Sequence, residues 1–120
     1  MVTAVTSMGR SGLYDWLMQR VSAVILLGYF LFLGWVLACG VEYGAWKELF
    51  SQTWMRVFSM LALVSLGAHA WIGLWSVFTD YLTERMLGAA GNVLRIGAQV
   101  FSGIIMFTYV VWGIQIFWGL

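Results

Sequence analysis

The only histidine of the chain, His69, stands in the segment GAHAWIGLWSVFTDYL, residues 67–82, which is otherwise mostly apolar. A neutral imidazole in such a segment can bind a metal ion, or it can simply hydrogen-bond to a neighbouring helix. Asp80 and Tyr81 follow eleven and twelve residues later. A phenol can donate a hydrogen bond to a carbonyl group, and a nearby carboxylate can relay a proton. These three side chains are therefore the first candidates for chemistry.

The composition around these residues is that of a membrane protein. Of the 120 residues, 62% are hydrophobic and only 9% are charged, whereas soluble domains are about 25% charged. Three stretches without Asp, Glu, Lys or Arg, of 21, 23 and 25 residues, cover residues 21–41, 57–79 and 96–120. A helix needs about 20 residues to cross a bilayer core, so each stretch is long enough to span a membrane.

In lipid the backbone must satisfy its own hydrogen bonds, which a helix does within one segment. We therefore expect an all-α membrane protein with three transmembrane helices, at roughly residues 17–39, 56–79 and 95–119 of one domain covering residues 1–120. An alternative is a lipoprotein signal acylated at Cys39, but the first stretch exceeds the about 7–15 apolar residues of a usual signal core. The net charge of +1 does not indicate nucleic-acid binding.

Lysine and arginine residues are divided unequally between the two ends of the predicted helices. With a cytoplasmic N-terminus, Lys47 and Arg56 lie outside, and four residues lie inside: Arg10, Arg20, Arg85 and Arg95. Because positive residues favour the cytoplasmic side, we expect the N-terminus inside and the C-terminus outside. Asp80 and Tyr81 would then lie at the cytoplasmic surface.

The helical face around His69 consists mostly of small residues: Ala62, Ser65, Ile72, Gly73, Ser76 and Asp80. One interpretation is a helix-packing stripe in which His69 bonds to a neighbouring helix. The other is a haem iron ligand, with Ser65, Gly73 and Ser76 leaving a flat gap for the porphyrin. Arg20 could then meet the haem propionates, or it could be an ordinary positive anchor. One histidine supplies one axial ligand, so a second imidazole would have to come from another chain.

Tyr81 lies about 18 Å along a helix axis from His69, at about 1.5 Å per residue. Such a position corresponds to the membrane interface, where tyrosine is common without any further role. A phenol there can also donate a hydrogen bond to a quinone carbonyl, with Asp80 nearby to tune or relay protons. Spacing alone leaves both interpretations open.

Two segments have a distinctive pattern: HAWIGLWSVFTDYL at residues 69–82 and GRSGLYDWLMQRVSAVIL at residues 9–26. The first closely resembles the motif H-A-W-I-G-x-W-x-x-x-T-D-Y of the haem b-containing hydrophobic membrane anchor of bacterial succinate dehydrogenase. The second resembles that family's opening, G-R-x-G-x-x-D-F/W-x-x-x-R. The length, the three spans and the ending VVWGIQIFWGL also agree. In enterobacterial members a histidine near the propionates stands where this chain has Tyr14, which can hydrogen-bond a propionate but carries no positive charge.

This resemblance implies a heterodimeric helix bundle formed with a second three-helix membrane anchor, the two chains sharing one haem b. It also implies docking of an iron–sulfur protein and a flavoprotein at a bacterial inner membrane, with a periplasmic C-terminus. Electrons from succinate would then reach ubiquinone. By the same resemblance, His69 is an axial haem ligand, Arg20 lies near the propionates, and Tyr81 and Asp80 belong to the ubiquinone site.

Three other functions are conceivable for such a chain. It could be a structural tether without a cofactor, or a fumarate reductase anchor that takes electrons from quinol. A small multidrug transporter is disfavoured, because none of the three charge-free stretches contains a carboxylate, and proton-coupled export of cations usually needs one.

Overall fold

A computed structural model describes residues 12–119 of the chain. Five α-helices follow one another in this part: α1 (Gly12–Ala38), α2 (Tyr43–Ser51), α3 (Thr53–Tyr81), α4 (Glu84–Leu87) and α5 (Gly91–Trp118). A turn of 3-10 helix, Gly88–Ala90, joins α4 to α5, and residues 12–119 contain no strand. Arg10 and the start of the opening motif, residues 9–11, lie outside the described residues.

Helices α1, α3 and α5 are long enough to cross a bilayer. They contain 27, 29 and 28 residues, which is about 40 Å or more at 1.5 Å per residue and exceeds a hydrocarbon core of about 30 Å. Their hydropathy is also that of membrane-spanning segments. The prediction of an all-α protein with three transmembrane helices is confirmed.

Each long helix extends beyond its predicted span. Helix α1 begins at Gly12, α3 ends at Tyr81 and α5 begins at Gly91. The charged residues Asp15 and Asp80, which are outside the predicted spans, therefore lie within helices and not in loops. The physical reason is that a helix continues to satisfy its backbone hydrogen bonds in the interfacial region, where charged side chains can reach water.

The two connections contain more helix than the sequence indicated. The segment between the first two predicted spans, residues 40–55, includes α2, whose Trp46, Leu49 and Phe50 share one partly buried face at helical spacing. In the second connection, Gly88 has φ +71° and makes a turn. Gly91 and Asn92 begin α5.

Helix α3 packs against both α1 and α5 and is the centre of the fold. Its buried residues form a stripe at spacings of three and four: Met55, Ser59, Ala62 and Ser65. Tyr29 of α1 completes a small core, and its hydroxyl lies 2.7 Å from the Ser59 hydroxyl. Small and hydroxyl-bearing residues at this interface are typical of helix packing in membranes.

Most of the large apolar side chains are exposed. They occur along all three long helices, for example Phe30, Leu61 and Phe107. In a bilayer, lipid tails or the helices of another chain can cover such surfaces without cost. The described helices thus resemble part of a larger bundle, not a closed one.

The junction between the 3-10 turn and α5 depends on glycine at position 91. A Cβ added to Gly91 would collide with the carbonyl oxygen of Thr83 and would lie 2.8 Å from the backbone nitrogen of Glu84. Backbone atoms cannot move aside as a flexible side chain can. We expect Gly91→Ala to lower the free energy of unfolding by about 1–3 kcal/mol, measured as thermal stability of the detergent-purified assembly.

The matched control for this prediction is Gly97→Ala in the same helix. No atom lies within 4 Å of a Cβ built at Gly97. Alanine there should be neutral or slightly stabilising, because it has the higher helix propensity. Equal stability of the two variants would contradict the proposed contact at Gly91.

Candidate functional site

His69 lies near the middle of α3, two residues beyond the midpoint of Thr53–Tyr81. Its side chain is partly buried and faces α1, where its Nδ1 lies 3.1 Å from the Oγ of Ser22. Ser22 is only 2% exposed. The interpretation that His69 bonds to a neighbouring helix is thus correct for one of its two ring nitrogens.

The contacts of the Ser22 hydroxyl favour one tautomer of His69. The Ser22 Oγ donates its single proton to the carbonyl oxygen of Gln19, at 3.1 Å. A hydroxyl that donates there can only accept from the imidazole, and in that arrangement Nδ1 carries the proton and Nε2 keeps its lone pair. No hydrogen bond to Nε2 occurs within residues 12–119. In this tautomer a histidine can bind a metal ion through Nε2.

The ligands available in this region favour a metal that is already held by another group. Among the described residues, no three His, Cys, Asp or Glu side chains come together as a metal site. One imidazole cannot hold a bare ion, but it can provide an axial ligand to haem iron, whose other ligands come largely from the porphyrin. The tautomer and the position of His69 fit that group. Bound haem would supply a one-electron redox centre.

The small-residue face around His69 is covered largely by α1, and not left open for a ligand as expected. Ala62 and Ser65 lie on α3 between the two contacts to α1 made by Ser59 and His69, and both are buried. A Cβ on Gly73 would lie 3.4 Å from the Nε2 of Gln19. Within the described chain, α1 therefore occupies the expected gap beside Ser65 and Gly73, whereas Ser76, the third residue assigned to that gap, is exposed. A planar ligand at His69 would have to approach from the Nε2 side.

Gln19 and Ser22 were not identified as site residues from the sequence. The Gln19 carbonyl bonds to Ser22, its side-chain amide lies against Gly73, and its Oε1 is buried without a partner among the described residues. The available signal was the spacing of seven between Ser22 and Tyr29, which puts two polar side chains on one face of an apolar helix.

Arg20 is exposed, and its guanidinium lies 5.0 Å from the centroid of the Trp16 ring, a cation–π geometry. It is two residues from Ser22, which corresponds to about 3 Å along the axis and about 200° around it. Arg20 is therefore close to the level of His69 but projects from nearly the opposite side of α1. The described chain alone does not bring these two side chains into one pocket.

Tyr81 and Asp80 form a separate site at the far end of α3. Tyr81 is the last residue of the helix and is 62% exposed. Asp80 is also exposed, and neither side chain makes a hydrogen bond within the described part of the chain. Twelve residues separate Tyr81 from His69, about 18 Å along the axis. The helix therefore presents two polar positions at two different depths.

An apolar cleft between α3 and α5 lies apart from both positions. Its volume is about 470 Å³, and it is lined by Trp71, Trp75, Gln99, Val100, Gly103, Ile104 and Phe107. It is open along its length, as expected for a surface between two membrane helices. It contains none of the residues singled out from the sequence.

Three long apolar helices, with a histidine near the middle of the central one, define a multi-pass membrane protein. Residues 2–110 match the family described as Succinate dehydrogenase/Fumarate reductase transmembrane subunit. The chain belongs to this family, and is therefore a subunit that associates with others in a larger complex. The family resemblance found in the sequence is confirmed.

The chain is also similar to a curated relative from Coxiella burnetii (strain RSA 493 / Nine Mile phase I). That protein is named Succinate dehydrogenase hydrophobic membrane anchor subunit, and it is 29% identical over 111 residues. The match covers 91% of this chain and 90% of the relative. The similarity therefore extends over all three long helices.

Proposed function

We propose that this chain is a membrane anchor of succinate dehydrogenase that shares one haem b with a second anchor chain and contributes to the site of ubiquinone reduction. The observation that carries the proposal is the hydrogen bonding of the two ring nitrogens of His69. Its Nδ1 bonds to Ser22 at 3.1 Å, which leaves Nε2 as a free ligand at mid-helix. An imidazole prepared in this way within a membrane helix is suited to haem iron.

The proposed partners follow from what this chain lacks. A six-coordinate haem with two imidazoles needs a second histidine, and this chain has one. The exposed apolar faces of α1, α3 and α5 offer a surface for the helices of a second membrane anchor. The iron–sulfur protein and the flavoprotein would dock at the end of α3 that carries Tyr81.

Arg20 and the pair at the end of α3 have distinct proposed roles. Arg20 is an exposed cation close to the level of His69 and is suited to an anionic propionate. The Tyr81 hydroxyl is exposed and can donate a hydrogen bond to a carbonyl oxygen of ubiquinone. Asp80 beside it can supply or relay protons that a reduced quinone takes up.

The proposed location is the bacterial inner membrane, with the end of α3 on the cytoplasmic side and the C-terminus in the periplasm. Of the described chain, Arg85 and Arg95 lie at that end and Arg20 lies in the half of α1 nearer to it, whereas Lys47 and Arg56 lie at the other end. This division favours the stated orientation. Arg10, which also contributed to the prediction, lies outside the described residues.

Two further candidates each have an observation in their favour. The Ser22–His69 bond and the packing of Ser65 and Gly73 against α1 would also suit a tether without a cofactor. A fumarate reductase anchor is equally within the family description. The direction of electron flow depends on the potentials of the soluble partners, which this chain does not determine.

An optical spectrum of the detergent-purified assembly tests the proposal. We expect the dithionite-reduced minus oxidised difference spectrum to show the sharp bands of a low-spin haem b, at one haem per copy of this chain. A colourless assembly that still reduces ubiquinone at full rate would favour the tether. Measuring succinate oxidation and fumarate reduction with the same preparation distinguishes the two enzyme directions.

A further inference from the structure

We infer that Ser22 is a positioning residue, which sets the tautomer and the orientation of the His69 ring for a ligand at Nε2. This inference rests on the proposed function, since it concerns the histidine that would bind the haem iron. It assigns a role to a side chain outside the recognised motif. The juxtaposition that supports it is the 3.1 Å contact between the Ser22 Oγ and the His69 Nδ1.

The Ser22 hydroxyl is held in place from both sides. It lies 3.1 Å from the Gln19 carbonyl oxygen, to which it can donate, and the side chain is 2% exposed. A buried hydroxyl with its proton committed in this way offers a lone pair in a fixed direction. The imidazole can satisfy Nδ1–H there in one ring orientation, which directs Nε2 away from α1.

A fixed acceptor at Nδ1 has two consequences for a metal bound at Nε2. It keeps the ring in the binding orientation, so less freedom is lost when the metal binds. It also makes the imidazole a stronger donor, since the Nδ1–H bond is polarised towards the acceptor. A stronger donor stabilises oxidised iron more than reduced iron, so losing the acceptor should raise the reduction potential.

The experiment compares Ser22→Ala with the wild-type assembly and with Ser59→Ala. Ser59 is the matched control, because it is also buried at the α1–α3 interface, at 1% exposure, and bonds to Tyr29 without contacting His69. Loss of an outer partner of a metal-binding histidine typically costs about 10–100-fold in affinity. We expect Ser22→Ala to lower haem affinity by about tenfold and to raise the haem midpoint potential, with Ser59→Ala close to wild type in both.

Redox titration followed by optical spectroscopy measures the potential, and it reports on ligand strength independently of quinone turnover. If Ser22→Ala does not assemble, Ser22→Cys tests the same point, because a thiol keeps the approximate size but is a weak acceptor. We expect a shift in the same direction for that variant. An unchanged potential in the variant that assembles, or an equal shift in Ser59→Ala, would overturn the role of Ser22.

The failure of this inference can be told apart from failure of the proposed function. If the wild-type assembly shows no haem spectrum, or if His69→Ala leaves the spectrum unchanged, the proposed haem ligand is wrong. If the spectrum depends on His69 but not on Ser22, only the positioning role is wrong.

Discussion

His69→Ala should remove the low-spin haem b spectrum from the purified assembly. The substitution takes away the ligand atom itself, so the loss of haem should exceed the about 10–100-fold that follows from losing an outer partner of a metal-binding histidine. Haem that remains bound through the second anchor alone would have one imidazole, and its spectrum would become high-spin. Haem content per assembly and the reduced-minus-oxidised spectrum measure both effects.

A suitable control for this variant is Thr108→Ala in α5. Its hydroxyl bonds only to the carbonyl of Ile104 in its own helix, at 2.8 Å, so the spectrum should not change. An unchanged spectrum in Thr108→Ala would show that removing a polar side chain from a transmembrane helix does not by itself affect haem binding. A His69→Ala assembly with wild-type haem content and an unchanged spectrum would exclude His69 as a ligand.

Tyr81→Phe should slow ubiquinone reduction by about tenfold or more, while succinate oxidation with a soluble dye stays close to wild type. The change removes only the hydroxyl, and the lost hydrogen bond leaves the quinone carbonyl without its donor, at a cost of about 1–3 kcal/mol. A tenfold loss corresponds to about 1.4 kcal/mol in the barrier. The dye accepts electrons before the membrane site, so its reduction should not depend on Tyr81.

Tyr109→Phe is the matched control for this prediction. Tyr109 lies within α5 and is 61% exposed, against 62% for Tyr81, so the two variants remove the same hydroxyl from comparably exposed positions. Only Tyr81→Phe should affect the ratio of quinone to dye activity. Equal quinone rates in the wild type and Tyr81→Phe would remove this phenol from the proposed site.

The fold was largely predictable because the membrane imposes strong constraints on sequence. Charge-free runs of more than 20 residues can satisfy their backbone groups only as helices, which gave three spans correctly. The ends were less predictable, since helices continue into the interface beyond the apolar run, as at Gly12 and Tyr81. Helix α2 was missed because nine residues were treated as a connection although Trp46, Leu49 and Phe50 had helical spacing.

The candidate site was predictable only in part. The isolation of His69 in an apolar helix and the position of Tyr81 near its end made both residues candidates, and their assignment to haem and quinone stays a prediction. The faces they share with other helices could not be derived, because residue spacing within α3 does not say which neighbour covers each face. Ser65 and Gly73 were thus assigned to a ligand, but α1 covers them. The remaining walls of both sites would come from other chains.

The two hydroxyl contacts between α1 and α3 fix the register of the helical hairpin. Ser22 meets His69 and Tyr29 meets Ser59, at points seven residues apart on α1. Sliding one helix along the other by a single turn, about 5.4 Å, would break both contacts at once and leave four polar side chains unpaired in lipid. The hairpin therefore has one preferred alignment before any other chain joins it, and His69, the proposed haem ligand, would already be aligned when the assembly forms.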